Sequence, residues 1–237
     1  MARLSRLSVA GVVHYVLQCG HNGGAIVRDT QDVNHLLQAL REAALSCGVV
    51  LHAYSVTTAE LRVLATPDSA TGISRMMQAL GRRYAAGFNR RHGRRGSLWD
   101  GRFRSALVES GHATLQALRD VDRRSLSEGE VQLAARPSPA GAGPEARSSA
   151  AQRTGGRRDP ALVDPPAYWH LGNTPFDREW RYRGLLAEPL AADQVDALER
   201  AVRGNWACGS AAFLASLMEA AARPVAPRPR GRPRRAA

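Results

Sequence analysis

The chain has 237 residues, 44% of them hydrophobic, which is enough for a packed core and argues against global disorder. Its 33 basic residues are all arginine and outnumber 21 acids, giving a net charge of +12 that suits a polyanionic partner. No apolar run reaches the ~20 residues of a membrane helix, and Cys19, Cys47 and Cys208 are too scattered for a disulfide framework or a zinc site. A GC-rich genome accounts for arginine in place of lysine, but not for the size of the charge. With no leader-like apolar segment near the start, a reducing cytoplasm is the expected compartment.

In chain order, Val12 to Leu17 reads as a strand closed by Gly20 and the Asn22-Gly23-Gly24 cluster. Asp29 to Ser46 predicts a helix, with Val33, Leu36, Leu37, Leu40 and Ala44 at helical spacing and Gly48 as its stop. Val49 to Val56 and Leu61 to Ala65 predict two strands close enough to form an antiparallel hairpin. Gly72 to Arg91 is the clearest helix, its apolar side made of Ile73, Met76, Met77, Leu80, Tyr84 and Phe88. Trp99 to Val108 returns to the sheet and Ala113 to Val121 forms the next helix. The order β-α-β-β-α-β-α implies an α+β domain over residues 1–125, a sheet with helices packed against it.

Residues 126–166 lose this periodicity. The run Arg136-Pro137-Ser138-Pro139-Ala140-Gly141 reads as a low-complexity linker. Residues 167–224 form a small helical region, with helices predicted over Phe176 to Leu186, Ala191 to Arg203 and Ser210 to Ala222, the last capped by Ser210. From Arg223 onward the chain is rich in proline and arginine, contains no acid and is expected to be disordered without a ligand; its basic tail is assigned to residues 225–237.

Three stretches carry a family resemblance: Gly72 to Tyr84, Phe88-Asn89-Arg90-Arg91-His92-Gly93, and Leu98-Trp99-Asp100-Gly101-Arg102-Phe103-Arg104-Ser105. They resemble the REP-associated branch of the IS200-like (HUH-type) tyrosine transposases. Weaker likeness continues through His14 to Gly20, Cys47 to Tyr54, Ala187 to Leu190, Trp206 to Ser210 and Gly231 to Arg234. The resemblance implies a ferredoxin-like antiparallel sheet, often in a homodimer, that cuts and joins single-stranded DNA. In that family a His-x-His pair on one strand holds Mg²⁺ or Mn²⁺, a helical tyrosine attacks the phosphate, and an Asn or Gln one turn later completes the metal site. The spacing suits the chemistry, because alternate strand residues share a face and i and i+4 share a helix face. The metal polarises the phosphoryl oxygen while the tyrosine supplies the nucleophile.

This chain departs from that pattern at each position. The hairpin reads Ala59-Glu60-Leu61-Arg62, so Glu60 and Arg62 stand where the family has histidines. The helix reads Arg119-Asp120-Val121-Asp122-Arg123-Arg124, so Asp120 replaces the nucleophile and Arg124 the third ligand. Glu60 could ligate a hard cation, but a guanidinium has no lone pair to give. No resident metal or other cofactor is therefore expected, and the cutting chemistry is expected to be lost. Either Arg62 and Arg124 now contact phosphate directly with Glu60 orienting them, or the site has decayed; decay is the simpler account, since nothing in the sequence marks selection. Beyond Asp122 the family's Asn-Pro-Val-Arg-Ala-Gly and Trp-Ser-Ser elements are missing, as compensating frameshifts in GC-rich DNA would produce. Tyr54 and Tyr84 are the alternative nucleophiles, with Tyr84 placed in an apolar stripe.

Two basic regions are candidate nucleic-acid contacts. Arg75, Arg82, Arg83, Arg90, Arg91, Arg94, Arg95, Arg102 and Arg104 cluster with Asp100 as the one acid among them. Such a run is either a solvated face or a surface that tracks phosphates, where Trp99 or Phe103 could stack a base if exposed. The tail segment Pro229-Arg230-Gly231-Arg232-Pro233 matches the core of an AT-hook, in which Arg230 and Arg232 would lie in a narrow minor groove of AT-rich duplex. The sequence thus reads as a DNA-binding protein for single-stranded or hairpin-forming DNA, impaired in cutting. An active metal-dependent single-strand transposase and an RNA-binding protein on the same surfaces are the alternatives.

Overall fold

A computed structural model describes residues 6–124, 126, 147–221 and 223–227. The first strand, β1 (Val13–Cys19), is followed by α1 (Thr30–Ser46), β2 (Val49–Val56), β3 (Glu60–Pro67), α2 (Gly72–Arg91), β4 (Arg104–Val108) and α3 (His112–Arg123). Asp29 caps α1 by accepting from the Asp32 backbone N–H at 2.9 Å, which satisfies a donor the first turn leaves free. The helix ends at Cys47 and Gly48, whose φ of +63° favours glycine; a Cβ there would overlap the Asp68 carboxylate.

β1 lies centrally, antiparallel to β3 on one side and to β4 on the other, and β2 completes the hairpin with β3. The order β2-β3-β1-β4 in a βαββαβ chain is the ferredoxin-like arrangement. A fifth strand, β5 (Ala207–Cys208), adds to β4 in parallel, so the sheet is mixed rather than wholly antiparallel. Strand pairing within the 99–108 stretch begins regularly only at Arg104; Trp99 makes an isolated bridge to Gly20.

Alternation along β1 divides two cores. Val16, with Leu61, Val63 and Ala65 of β3, packs beneath α1 and α2. Tyr15 and Leu17, with Leu64, Ala106 and Val108, pack beneath α3 and the C-terminal helices α4 (Pro166–Trp169), α5 (Pro175–Ala187) and α6 (Ala192–Gly204). The last helix, α7 (Ala211–Ala220), is capped by Ser210, which accepts from Phe213 N–H at 3.2 Å.

Residues 147–166, expected as the end of a linker, instead line the sheet. Ser148 bridges Ser55, Leu162 bridges Leu51, and a short helical turn at Ser149–Arg153 lies against β2 and α3. Arg153 is fully buried, with NH1 3.2 Å from Asp122 Oδ2 and NH2 donating to the His52 carbonyl. The segment lacks apolar periodicity because it is held by polar pairing. Val225, at the start of the basic tail, is also buried, and its carbonyl accepts from Ala207 N–H at 2.8 Å. The proline-rich linker run 136–141, Arg230 and Arg232 lie outside the described residues.

Candidate functional site

Glu60, Arg62, Asp120 and Arg124 come together on the sheet face beneath α3 and α6. The β1–β3 register sets Leu17 opposite Arg62 and Cys19 opposite Glu60, so both β3 side chains share the face of Tyr15. Arg62 is nearly inaccessible. Its NH2 donates to Glu60 Oε2 at 2.9 Å, and its NH1 and NH2 grip the Glu199 carboxylate at 2.8 and 2.9 Å. NH1 also donates to the Tyr15 hydroxyl at 3.1 Å, which in turn donates to Asp120 Oδ2 at 2.5 Å. One turn on, Arg124 pairs with Asp120 at 3.1 Å, and Arg203 of α6 pairs with Glu199 at 3.0 Å.

The cluster is balanced: Arg62, Arg124 and Arg203 face Glu60, Asp120 and Glu199. Hydrogen bonds from Arg62 hold the Glu199 carboxyl down at about 2, against the opposing effect of burial. Burial, reinforced by the Asp120 carboxylate, pushes the Tyr15 hydroxyl far up, so it stays protonated. Sequence reading missed Tyr15, Glu199 and Arg203. The alternation of Tyr15 with Leu17 and the i,i+4 spacing of Glu199 and Arg203 were the available signals.

The donor set does not fit the divalent metal that the family resemblance implies. Arg62 and Arg124 offer no lone pair, and Glu60 and Asp120 are already engaged by guanidinium groups. Among the described residues no group of three or more His, Cys, Asp or Glu side chains is placed to hold a metal ion. The alternative tyrosines are no better placed for attack. Tyr84 is buried and donates to the Ile26 carbonyl at 2.6 Å, while Tyr54 is buried and donates to Asp159 at 3.1 Å. Burial pushes the Tyr54 hydroxyl up to about 12.

The central arginines divide into groups. Arg75, Arg82 and Arg102 are exposed and line a groove of 660 Å³ between α2 and the loop before β4. Arg6 joins them, its guanidinium 3.8 Å above the Phe103 ring, and among the described residues no acidic side chain lines the groove. Among the described residues Arg75, Arg82 and Arg102 have no ion-pair partner. Trp99 is half-buried at the groove wall, with Nε1 donating to Gly81 O at 3.3 Å, and Phe103 is buried. Base stacking on Phe103 would therefore require Arg6 to move.

The rest are engaged elsewhere or lie on the loop. Arg83 pairs with Glu42, and Arg91 pairs with Asp29 at 2.7 Å and also with Asp32. Arg94 lies over Phe88, and Arg104 donates to the Arg203 carbonyl at 3.0 Å. Arg90 and Arg95 are exposed. No helix among the described residues is long and apolar enough to cross a membrane.

No family model and no curated protein matches the chain. Two solved structures align with about half of it. One is a REP-associated tyrosine transposase bound to a REP hairpin, 12% identical, covering 52% of this chain and 72% of that one with a TM-score of 0.41. The other is a candidate transposase from Deinococcus radiodurans R1, 18% identical, covering 53% of this chain and 100% of that one with a TM-score of 0.37. Both are described as transposases.

Proposed function

We propose that this chain is a DNA-binding protein of the IS200-like, REP-associated transposase type that no longer cuts DNA. The observation that carries this reading is the closed ion cluster. The positions that resemblance assigns to metal ligands and nucleophile are occupied by Glu60, Arg62, Asp120 and Arg124, and each is committed to a partner of opposite charge. Asp120 is also shorter than a tyrosine, and an acyl phosphate formed on it would be labile. Binding does not need that chemistry. The groove lined by the exposed Arg75, Arg82 and Arg102 supplies cationic side chains for a phosphate backbone.

In this reading the ligand is single-stranded or hairpin-forming DNA, and Arg230 and Arg232 of the tail add a minor-groove contact on AT-rich duplex. The free cysteines suit a reducing cytoplasm. The test is incubation with hairpin-containing single-stranded DNA and Mg²⁺ or Mn²⁺, followed by native and denaturing gels. Retarded DNA that remains full length is expected. A stable covalent adduct mapped to any tyrosine, or metal-dependent cleavage, would establish the active-transposase reading instead. Equal or tighter binding to the matching RNA hairpin would favour the RNA reading.

A further inference from the structure

Three guanidinium groups converge on one carboxylate. Glu199 Oε2 and Oε1 lie 2.8 and 2.9 Å from NH1 and NH2 of Arg62, an end-on bidentate grip. Arg203 NH2 reaches Oε1 at 3.0 Å, and Arg124 NH2 stands 3.8 Å from Oε2. Arg62 is buried, but the outer members are not: Glu199 is 23% exposed, Arg124 29% and Arg203 48%. Solvent therefore reaches Glu199 and its partners Arg124 and Arg203.

We propose that Arg62, Arg124 and Arg203 form a binding site for the phosphodiester of a nucleic-acid strand, and that Glu199 fills it in the free protein. The guanidinium fork fits two oxygens of a carboxylate or of a phosphate in the same way. Without Glu199, the three arginines exceed Glu60 and Asp120 by one positive charge, which one monoanionic diester would cancel. Exchange needs the Glu199 side chain to swing away while Arg62 keeps its hydrogen bonds to Glu60 and Tyr15 and Arg124 keeps its pair with Asp120. The choice of a strand as ligand rests on the DNA-binding reading; the anion site itself rests on the geometry.

The test compares the full-length protein with its Glu199→Ala variant. Removing the carboxylate leaves Arg62 without its main outward partner, so the variant should melt at a lower temperature. Inorganic phosphate should then raise its melting temperature saturably, while chloride at equal ionic strength should not, and the wild type should respond little. Adding Arg203→Ala should weaken that response. A short oligothymidylate should bind Glu199→Ala about tenfold more tightly than wild type, since its phosphate no longer competes with a tethered carboxylate. If Glu199→Ala does not fold, Glu199→Gln keeps the shape of the side chain and is read by ³¹P line broadening with inorganic phosphate. Equal effects of phosphate and chloride, or a phosphate response untouched by Arg203→Ala, would overturn the site. A specific phosphate response without tighter oligothymidylate binding would overturn the strand as its ligand and assign the site to free phosphate. Failure of the groove would show separately: Arg82→Ala with Arg102→Ala would leave DNA affinity unchanged while the phosphate response persists.

Discussion

Replacing Arg153 by methionine tests whether residues 147–166 are structural. Its guanidinium and the Asp122 carboxylate are both fully buried. The substitution removes the 3.2 Å pair with Asp122 Oδ2, the donation to the His52 carbonyl, and a 2.8 Å approach of Nε to Asp164 Oδ1 that is out of line for a hydrogen bond. Asp122 would keep Ser149 Oγ at 2.5 Å and Tyr182 Oη at 2.6 Å as donors, but no buried cation. Breaking a buried pair on one side costs about 3–5 kcal/mol, and for a chain of this size that corresponds to a melting temperature roughly 6–20 °C lower. Urea denaturation followed by circular dichroism measures the loss. Adding Asp122→Asn removes the stranded charge, keeps one of the two hydroxyl donors on the amide oxygen and turns the other to accept from the amide nitrogen, and should recover about 1–3 kcal/mol of it. Acidity gives an independent check. Burial raises the Asp122 carboxyl from 3.8, and Arg153 pulls against that rise. An acid whose folded value is raised disfavours folding as pH rises past its unfolded value, so the Arg153→Met deficit should shrink as pH falls toward about 4. A deficit under about 1 kcal/mol at neutral pH would refute a structural role for the segment.

Other consequences are separable. Glu199 has its carboxyl depressed to about 2, so its contribution is present above its ordinary value of 4.5 and is lost as pH falls toward 2. Urea midpoints at pH about 5 and about 3 should therefore differ less in Glu199→Gln than in wild type, and an unchanged difference would deny Arg62 its hold on Glu199. Replacing Arg82 and Arg102 by alanine should weaken binding to every single-stranded sequence and make the slope of log K against log[salt] shallower by about 0.7 for each phosphate no longer neutralised. Arg83→Ala should change the slope less, because Arg83 is already paired with Glu42. Deleting residues 228–237 should lower affinity for AT-rich duplex while sparing single-stranded hairpins; equal losses on AT-rich and GC-rich duplex, measured by fluorescence anisotropy, would leave only an electrostatic tether.

The first part of the fold was legible because its elements are written in local periodicity. The predicted and observed bounds of α2 are both Gly72 and Arg91, since its apolar stripe faces the sheet for the whole helix. β5 was not legible: Ala207 and Cys208 are too short a run to carry a period, and they pair only because α6 delivers them to the free edge of β4. Nor was the segment at Ser149–Arg153. Its place in the core depends on a carboxylate in α3, and no feature of composition shows that Arg153 and Asp122 will meet.

The candidate site was legible in the same partial way. Motif positions located Glu60, Arg62, Asp120 and Arg124, but their partners depend on strand register and on where α6 lies. In a chain whose cations are all arginine, the residue type does not reveal the role. Arg62 is buried between carboxylates, Arg94 lies over an aromatic ring, Arg91 ties α2 to the start of α1, and Arg82 faces the groove without an acid. What separates them is the nearest acid, which tertiary structure supplies. For Arg83 that is Glu42, for Arg91 Asp29 and Asp32, and for Arg62 Glu199, each on another helix or in the turn before α1. Arg75, Arg82, Arg90, Arg95 and Arg102 meet no such residue among the described ones, and of these Arg75, Arg82 and Arg102 also line the groove, which makes them the candidates for phosphate contact under the proposed function.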